Sequence, residues 1–155
     1  MKFTGEITVK APRAAVYDAL RDARFFASCV DGVRDLAEIG PDRYSAVFET
    51  KVAYMKFSFK VTVELTRTDP PNEIEAKVEG TPLGVVGRMT ATALTTLSGA
   101  GDDTTIAYTV DAALAGKLGS LGQPVLRSKA REMEKQFATR LAAAFDPKSL
   151  EVAQP

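Results

Sequence analysis

Four phenols and one thiol carry most of the reactive chemistry this chain can offer: Tyr17, Tyr44, Tyr54, Tyr108 and Cys29. There is no histidine. Ser-His-Asp and Cys-His mechanisms therefore lack their base, and no imidazole stands ready to activate Cys29 as a nucleophile. A general acid or base would have to be Asp, Glu, Lys or Tyr. One cysteine forms no intramolecular disulfide, and a zinc site built on His and Cys is excluded. The carboxylates are scattered along the chain, so neither a metal site nor a cofactor is expected, and no residue is assigned a catalytic role. A phenol can donate to a carbonyl or quinone oxygen, although a buried phenol needs a partner in any case. Tyr44 and Tyr108 are the better candidates, because the strand register turns them inward.

Two glycine-rich stretches invite a phosphate-loop reading and fail it. GTPLGVVGR (80–88) has the wrong glycine spacing and leads into a strand, and AGKLGS (115–120) lacks the preceding loop pattern. Lys117, Arg127, Lys129, Arg131 and Lys135 gather toward the last helix, interleaved with Glu132 and Glu134. A solvated face is favoured there over a lipid-headgroup or partner patch. Lys+Arg and Asp+Glu are equal at 20 each. A balanced chain has no long-range field to draw in nucleic acid, and no nucleic-acid partner is expected. The N-terminal MKFTGEITVKAP alternates as a strand does and has no apolar core of a signal peptide. No window of 18 residues is apolar throughout, so nothing is expected to span a bilayer. The expected address is the cytoplasm, with at most transient, peripheral contact at the inner face of the membrane.

The elements that must position these residues follow from periodicity. Phe3, Gly5, Ile7 and Val9 alternate with polar neighbours in a first strand. Pro12 stands where a short helix could start, with Val16, Ala19 and Leu20 on one face. Phe25, Phe26 and Cys29 fall in a second short helix or turn, and serve equally well as satellite core or as a gate beside a pocket mouth. Strand-like runs then succeed one another between turn signals: 33–39, 43–49, 55–65, 74–78, 89–97 and 106–112. In the clearest of them Met55, Phe57, Phe59, Val61, Val63 and Leu65 face one way, against Lys56, Ser58, Lys60, Thr62 and Glu64. From Leu118 the period changes. Leu126, Ala130, Met133, Phe137, Leu141 and Ala144 form an apolar helical stripe, extended backwards by Leu118, Leu121 and Val125. A helix over 117–145 would be about 43 Å long, with a kink at Gly119, Gly122 and Pro124.

The chain is therefore expected to be α+β, with a helix-grip fold. A curved antiparallel sheet of six to seven strands wraps a long C-terminal helix, and two short helices follow strand 1. The domain is expected over 1–146, with a frayed tail at 147–155. On the inner face, large side chains (Met55, Phe57, Phe59, Met89) mix with small ones (Gly87, Ala91, Ala93). Gly119, Gly122 and Ser128 thin the start of the facing helix. Small residues on both sides leave volume for a ligand. The expected ligand-binding residues are Phe26, Tyr44, Phe48, Met55, Phe57, Phe59, Val78, Met89, Ala91, Tyr108, Leu118, Leu121, Val125 and Met133. Simple core packing is the competing reading for each of them.

The stretches FTGEITVKAPRAAVYDAL, LTRTDPPNEIEAKVEG and YTVDAALAGKLGSLGQPVLRSKAREMEKQFATRLAAAF resemble a known family. It is the G-subunit family of carbon monoxide dehydrogenase, within the helix-grip superfamily of START domains and polyketide cyclases. The segment Asp111 to Gly122 is the most specific part. The resemblance implies an accessory, non-catalytic domain that holds a lipid or isoprenoid quinone. It also implies a molybdenum hydroxylase of the carbon monoxide dehydrogenase type as partner, served by membrane recruitment, maturation or quinone carriage. Many members carry a Pro- and Ala-rich tail ending in a membrane-directed segment, which has no counterpart before Pro155. Two rivals remain: a polyketide cyclase or aromatase using the same cavity, and a structural adaptor with a solid core. A carboxylate or arginine buried beside a tyrosine would favour the enzyme.

Overall fold

The computed structural model describes residues 1–99 and 101–145. The domain boundary at 146, the expected tail and Ala100 of the 98–103 loop lie outside the described residues. Elements run in the order β1 (Lys2–Val9), α1 (Arg13–Arg21), α2 (Ala23–Ser28), β2 (Val33–Gly40), β3 (Arg43–Val52), β4 (Met55–Asp69), β5 (Glu73–Pro82), β6 (Gly87–Ser98), β7 (Thr104–Gly116), a 3-10 turn (Gly119–Leu121) and α3 (Gln123–Ala144). The seven strands form one antiparallel sheet in the order β1-β7-β6-β5-β4-β3-β2. Strands β2 to β7 are a meander, which short turns permit only between antiparallel neighbours. β1 closes the sheet by pairing with β7 from Lys2↔Asp111 to Val9↔Thr104.

Alternation sets the inner face. Across the centre of the sheet the register aligns Tyr44↔Val63, Val63↔Val78, Val78↔Ala91 and Ala91↔Ala112. These residues therefore lie in one row and point to the same side. Tyr17 of α1 is buried and donates its hydroxyl to the Glu73 carbonyl at 3.3 Å, pinning the short helix to the start of β5. Asp22 caps α2 by accepting from the N–H groups of Arg24 and Phe25.

The last helix is shorter than expected. It begins at Gln123 rather than near residue 117. Gly122 adopts φ +90° and ψ 156°, a conformation that suits glycine and ends any helical run. Pro124 then occupies the first turn, where its missing N–H costs nothing. The 22 residues of α3 span about 33 Å. Lys117 consequently lies in the β7–α3 connection and not on the helix. Ser128 and Ala144 are exposed and do not belong to the inward stripe, whose members Leu126, Ala130, Met133, Phe137 and Leu141 do turn toward the sheet. The helix runs past the two flanks of the sheet: its Cα atoms come within 8 Å of β1 and β3.

Candidate functional site: an unpacked belt beneath the last helix

Apart from Cys29 and Ala112, the buried apolar residues fall into two separate groups. The lower one joins Ile7, Val9, Val16, Tyr17, Ile74, Leu97 and Ile106 to Leu141 near the end of α3. The upper one joins Val52, Phe57 and Phe59 to Leu118 and to Leu126 near the start of α3. Along β4, Val61 packs against the upper group and Leu65 against the lower, while Val63 between them packs against neither. The same gap opens on the neighbouring strands at Ala76, Val78, Ala91, Ala93 and Val110, and on α3 at Ala130 and Met133. All of these remain half-buried. A seated helix would bury them, because interiors are packed close to crystal density. The gap extends about 17 Å along the helix from Leu126 to Phe137 and about 14 Å along β4 from Val61 to Leu65. It is an apolar belt between two packed ends.

The fourteen residues expected to bind ligand divide by level. Tyr44, Val78, Ala91 and Met133 lie on the belt. Phe48, Met55, Phe57, Phe59, Leu118, Leu121 and Val125 belong to the upper group and form its end wall. There the Phe57 and Phe59 rings stack at 6.0 Å and Phe48 and Phe59 at 6.2 Å. Met89 folds over Gly80, where an added Cβ would meet its Cε at 2.9 Å, and so lies beside Phe59. Tyr108 packs against the lower group. Phe26 is 45% exposed on α2, with its ring 5.0 Å from that of Phe137. The belt residues Val63, Ala76, Val110 and Ala130 were not among the expected ligand-binding residues, and Ala93 was named only as a small inward residue that leaves volume. Their signal was small or β-branched type at inward register, which sequence alone assigns equally to packing.

A wide depression of about 1240 Å³ adjoins the belt, but it touches both faces of the sheet, from outward Glu75, Lys77 and Thr92 to inward Ala91 and Leu114. Its volume does not measure the space under the helix. The part beneath α3 is walled by Ala91, Ala112, Leu114, Gly119, Gly122 and Leu126. Gly119 allows the 3-10 turn to lie on β7, since a Cβ there would sit 2.6 Å from the Leu114 carbonyl oxygen. Gly119 and Gly122 thus thin the turn that leads from β7 into α3, above the upper group.

Polar groups near the belt are few. Tyr108 donates its hydroxyl to the Glu134 carboxylate. Burial first, then the bond to Glu134 and its charge, hold the Tyr108 phenol well above the usual range. Glu134 is therefore half-buried and turned inward, not part of the solvated helix face. The pair borders a crevice of about 140 Å³ between α3 and the edge strand β1, lined also by Lys2, Thr4, Arg127 and Arg131. Arg127 lies 5.6 Å over the Phe3 ring and donates to the Lys2 carbonyl. With Tyr17 and Tyr108 engaged, Tyr44 is the inward phenol whose hydroxyl has no partner among the described residues. The Cys29 thiol is buried and pushed up by desolvation. Among the described residues no group of three or more His, Cys, Asp or Glu is placed to hold a metal ion, and no helix is long and apolar enough to cross a membrane.

An open, curved antiparallel sheet gripping one C-terminal helix over an apolar belt defines a helix-grip domain of the START and polyketide-cyclase type. Solved structures share it. A conserved protein from Geobacillus kaustophilus superposes with TM-score 0.86 at 25% identity, over 94% of this chain and 95% of that one. A Streptomyces aromatase/cyclase matches with TM-score 0.67 at 16% identity, over 93% and 92%. A Thermus thermophilus protein matches with TM-score 0.64 at 18% identity, over 94% and 100%. No curated protein matches the chain. The family model for the G subunit of carbon monoxide dehydrogenase (CoxG) matches residues 5–145, and the chain belongs to that family.

Proposed function

We propose that this domain is a non-catalytic carrier that holds one elongated apolar molecule, a lipid or an isoprenoid quinone, in the belt beneath α3. The observation that carries the proposal is the break between the two packed groups at Val63, Val78, Ala91, Ala93 and Met133. Affinity would come from apolar burial, about 25 cal/mol per Å². Specificity would come from the Tyr44 hydroxyl, donating to a ligand carbonyl. Methionine at 133 adapts to a flexible tail. Family membership supports, as the recipient or donor of the cargo, a molybdenum hydroxylase of the carbon monoxide dehydrogenase type. The domain would work on the cytoplasmic side, meeting the membrane only in passing. Native mass spectrometry after incubation with vesicles containing an isoprenoid quinone tests the reading. One bound quinone per chain is expected, and protein that stays empty across quinones and phospholipids overturns it.

The Tyr108–Glu134 pair favours a second reading, an enzyme of the cyclase type. A carboxylate beside a tyrosine is the feature such an enzyme needs, and one structural neighbour is named as an aromatase/cyclase. Against it, the two groups satisfy one another, and the adjoining crevice is too small for a polyketide. Cyclisation of a poly-β-ketone thioester, abolished by Glu134→Gln, would reinstate it.

A further inference from the structure

Four of the large apolar side chains most open to water stand at one end of the sheet. Tyr54 (93% exposed) tips the β3–β4 hairpin, and Leu83, Val85 and Val86 (87%) form the β5–β6 loop. Backbone hydrogen bonds join these tips. The Leu83 N–H donates to the Ser58 carbonyl at 2.8 Å, and the Lys117 N–H donates to the Val86 carbonyl at 3.1 Å. The apolar choice runs against local preference. Ala53 holds φ +56° at the first hairpin tip, where Asn, Asp or Gly is the usual occupant, and exposed loops are ordinarily polar.

Charge follows the same division. The three segments of this end, 51–56, 81–88 and 115–122, carry Lys51, Lys56, Arg88 and Lys117 and no carboxylate. Lys51 and Lys56 are direct cross-strand partners, an arrangement that destabilises a hairpin unless an anion lies nearby. Lys56 reaches Glu49 at 3.7 Å, a carboxylate already bonded to Arg34. Lys51, Arg88 and Lys117 have no ion-pair partner among the described residues, and all three are exposed. The loops at the opposite end of the sheet carry Asp42, Asp69, Asp102 and Asp103. That end also holds Lys10, Arg13, Arg21 and Arg43, with Arg21 paired to Asp42, so it is mixed in charge, whereas the three segments around Tyr54 and Val86 are basic only.

From this we infer that the end formed by Tyr54, Leu83, Val85 and Val86 is a docking surface for an anionic lipid bilayer, into which the two tips insert while the ring of lysines and Arg88 meets the headgroups. Apolar insertion and basic attraction together make the reversible, two-part attachment that neither gives alone. The surface adjoins the 117–122 connection that leads into α3, through the Lys117–Val86 backbone bond. The inference stands on the loops alone and does not require the belt to be filled.

Sedimentation of the full chain with vesicles tests it. Phosphatidylcholine vesicles containing phosphatidylglycerol are expected to carry the protein down, and phosphatidylcholine alone to carry down far less. Both Y54S/V86S and K51E/K117E should weaken binding by on the order of tenfold or more. Lys10→Glu, at the far end of β1, should leave it unchanged. Circular dichroism verifies that each variant is folded. Wild-type protein that stays in solution with anionic vesicles overturns the inference, as does binding indifferent to both tip variants, including the case in which those variants instead abolish capture by a partner protein. The carrier reading is read separately, by quinone uptake from detergent solution.

Discussion

Tyr108 of β7 and Glu134 of α3 are joined by a hydrogen bond directly above Gly5 of β1, the cross-strand partner of Tyr108. A Cβ at position 5 would lie 2.5 Å from both the Tyr108 hydroxyl and a Glu134 carboxylate oxygen. The absence of a side chain on the edge strand is what admits a helix carboxylate to the inner face. The pair ties α3 to the sheet at the level where the belt gives way to the lower core.

Gly5→Ala should therefore destabilise by about 1–3 kcal/mol through overpacking. Tyr108→Phe should cost about 1–3 kcal/mol by leaving the half-buried Glu134 carboxylate without its donor. The double variant should cost less than the sum, because removing the hydroxyl relieves part of the clash at Gly5. Urea denaturation measures all three, and strict additivity would show the sites to be uncoupled.

Alkaline pH should weaken the fold through the same phenol. The folded state raises the Tyr108 pKa, so it holds this proton more tightly than the unfolded chain, where a tyrosine ionises near about 10. The contribution is complete below that value and is lost as pH rises toward the folded one. Tyr17, raised mainly by desolvation, acts with the same sign. Unfolding free energies taken at neutral pH and above pH about 10 should fall less steeply for Tyr108→Phe than for the wild type. Equal slopes would remove Tyr108 from the account.

The belt and the lower core should answer opposite substitutions. Leu141 is 0% exposed, and Leu141→Ala should cost about 2–5 kcal/mol. Ala93→Leu on the belt should be neutral or stabilising, since it fills space without strain, and should abolish uptake of an apolar ligand. In a solid core the same enlargement costs about 1–3 kcal/mol. Thermal denaturation with and without ligand separates the two cases.

Cys29 should be inert in the native protein. It is 3% exposed, and burial raises its pKa, so little thiolate forms at neutral pH. Labelling by a thiol reagent should be slow until denaturant is added and should then be complete. Rapid labelling of folded protein would contradict the packing around α2.

Much of the fold was legible in the residues. Strict alternation from Met55 to Leu65 gives one inner face because the strand period is two, and a one-residue slip would turn every phenylalanine to solvent. The same periodicity placed Tyr44 and Tyr108 inward, and the structure agrees. The helix start was misplaced by six residues. Gly122 could be foreseen as a kink, whereas its φ of +90°, which ends the run outright, is a property of the folded backbone. Glu134 was assigned to the solvated face because helical spacing puts it among Lys and Arg. Its inward turn depends on a glycine 129 positions away in the chain.

By itself, the sequence determined the class of this protein. Period two repeated over consecutive runs and then replaced by period 3.6 dictates an antiparallel sheet with one helix for a lid, and the missing histidine removes whole families of catalysis. Only the tertiary structure decided where the lid rests. Small and β-branched residues at Val63, Val78, Ala91, Ala93 and Ala130 pack as readily into a solid core as around a hollow, so their types are silent on the matter. The buried seats of α3 are Leu126 near its start and Leu141 near its end, and the inward residues between them stay half-buried, because a rigid rod lying across a curved surface touches it where the surface rises.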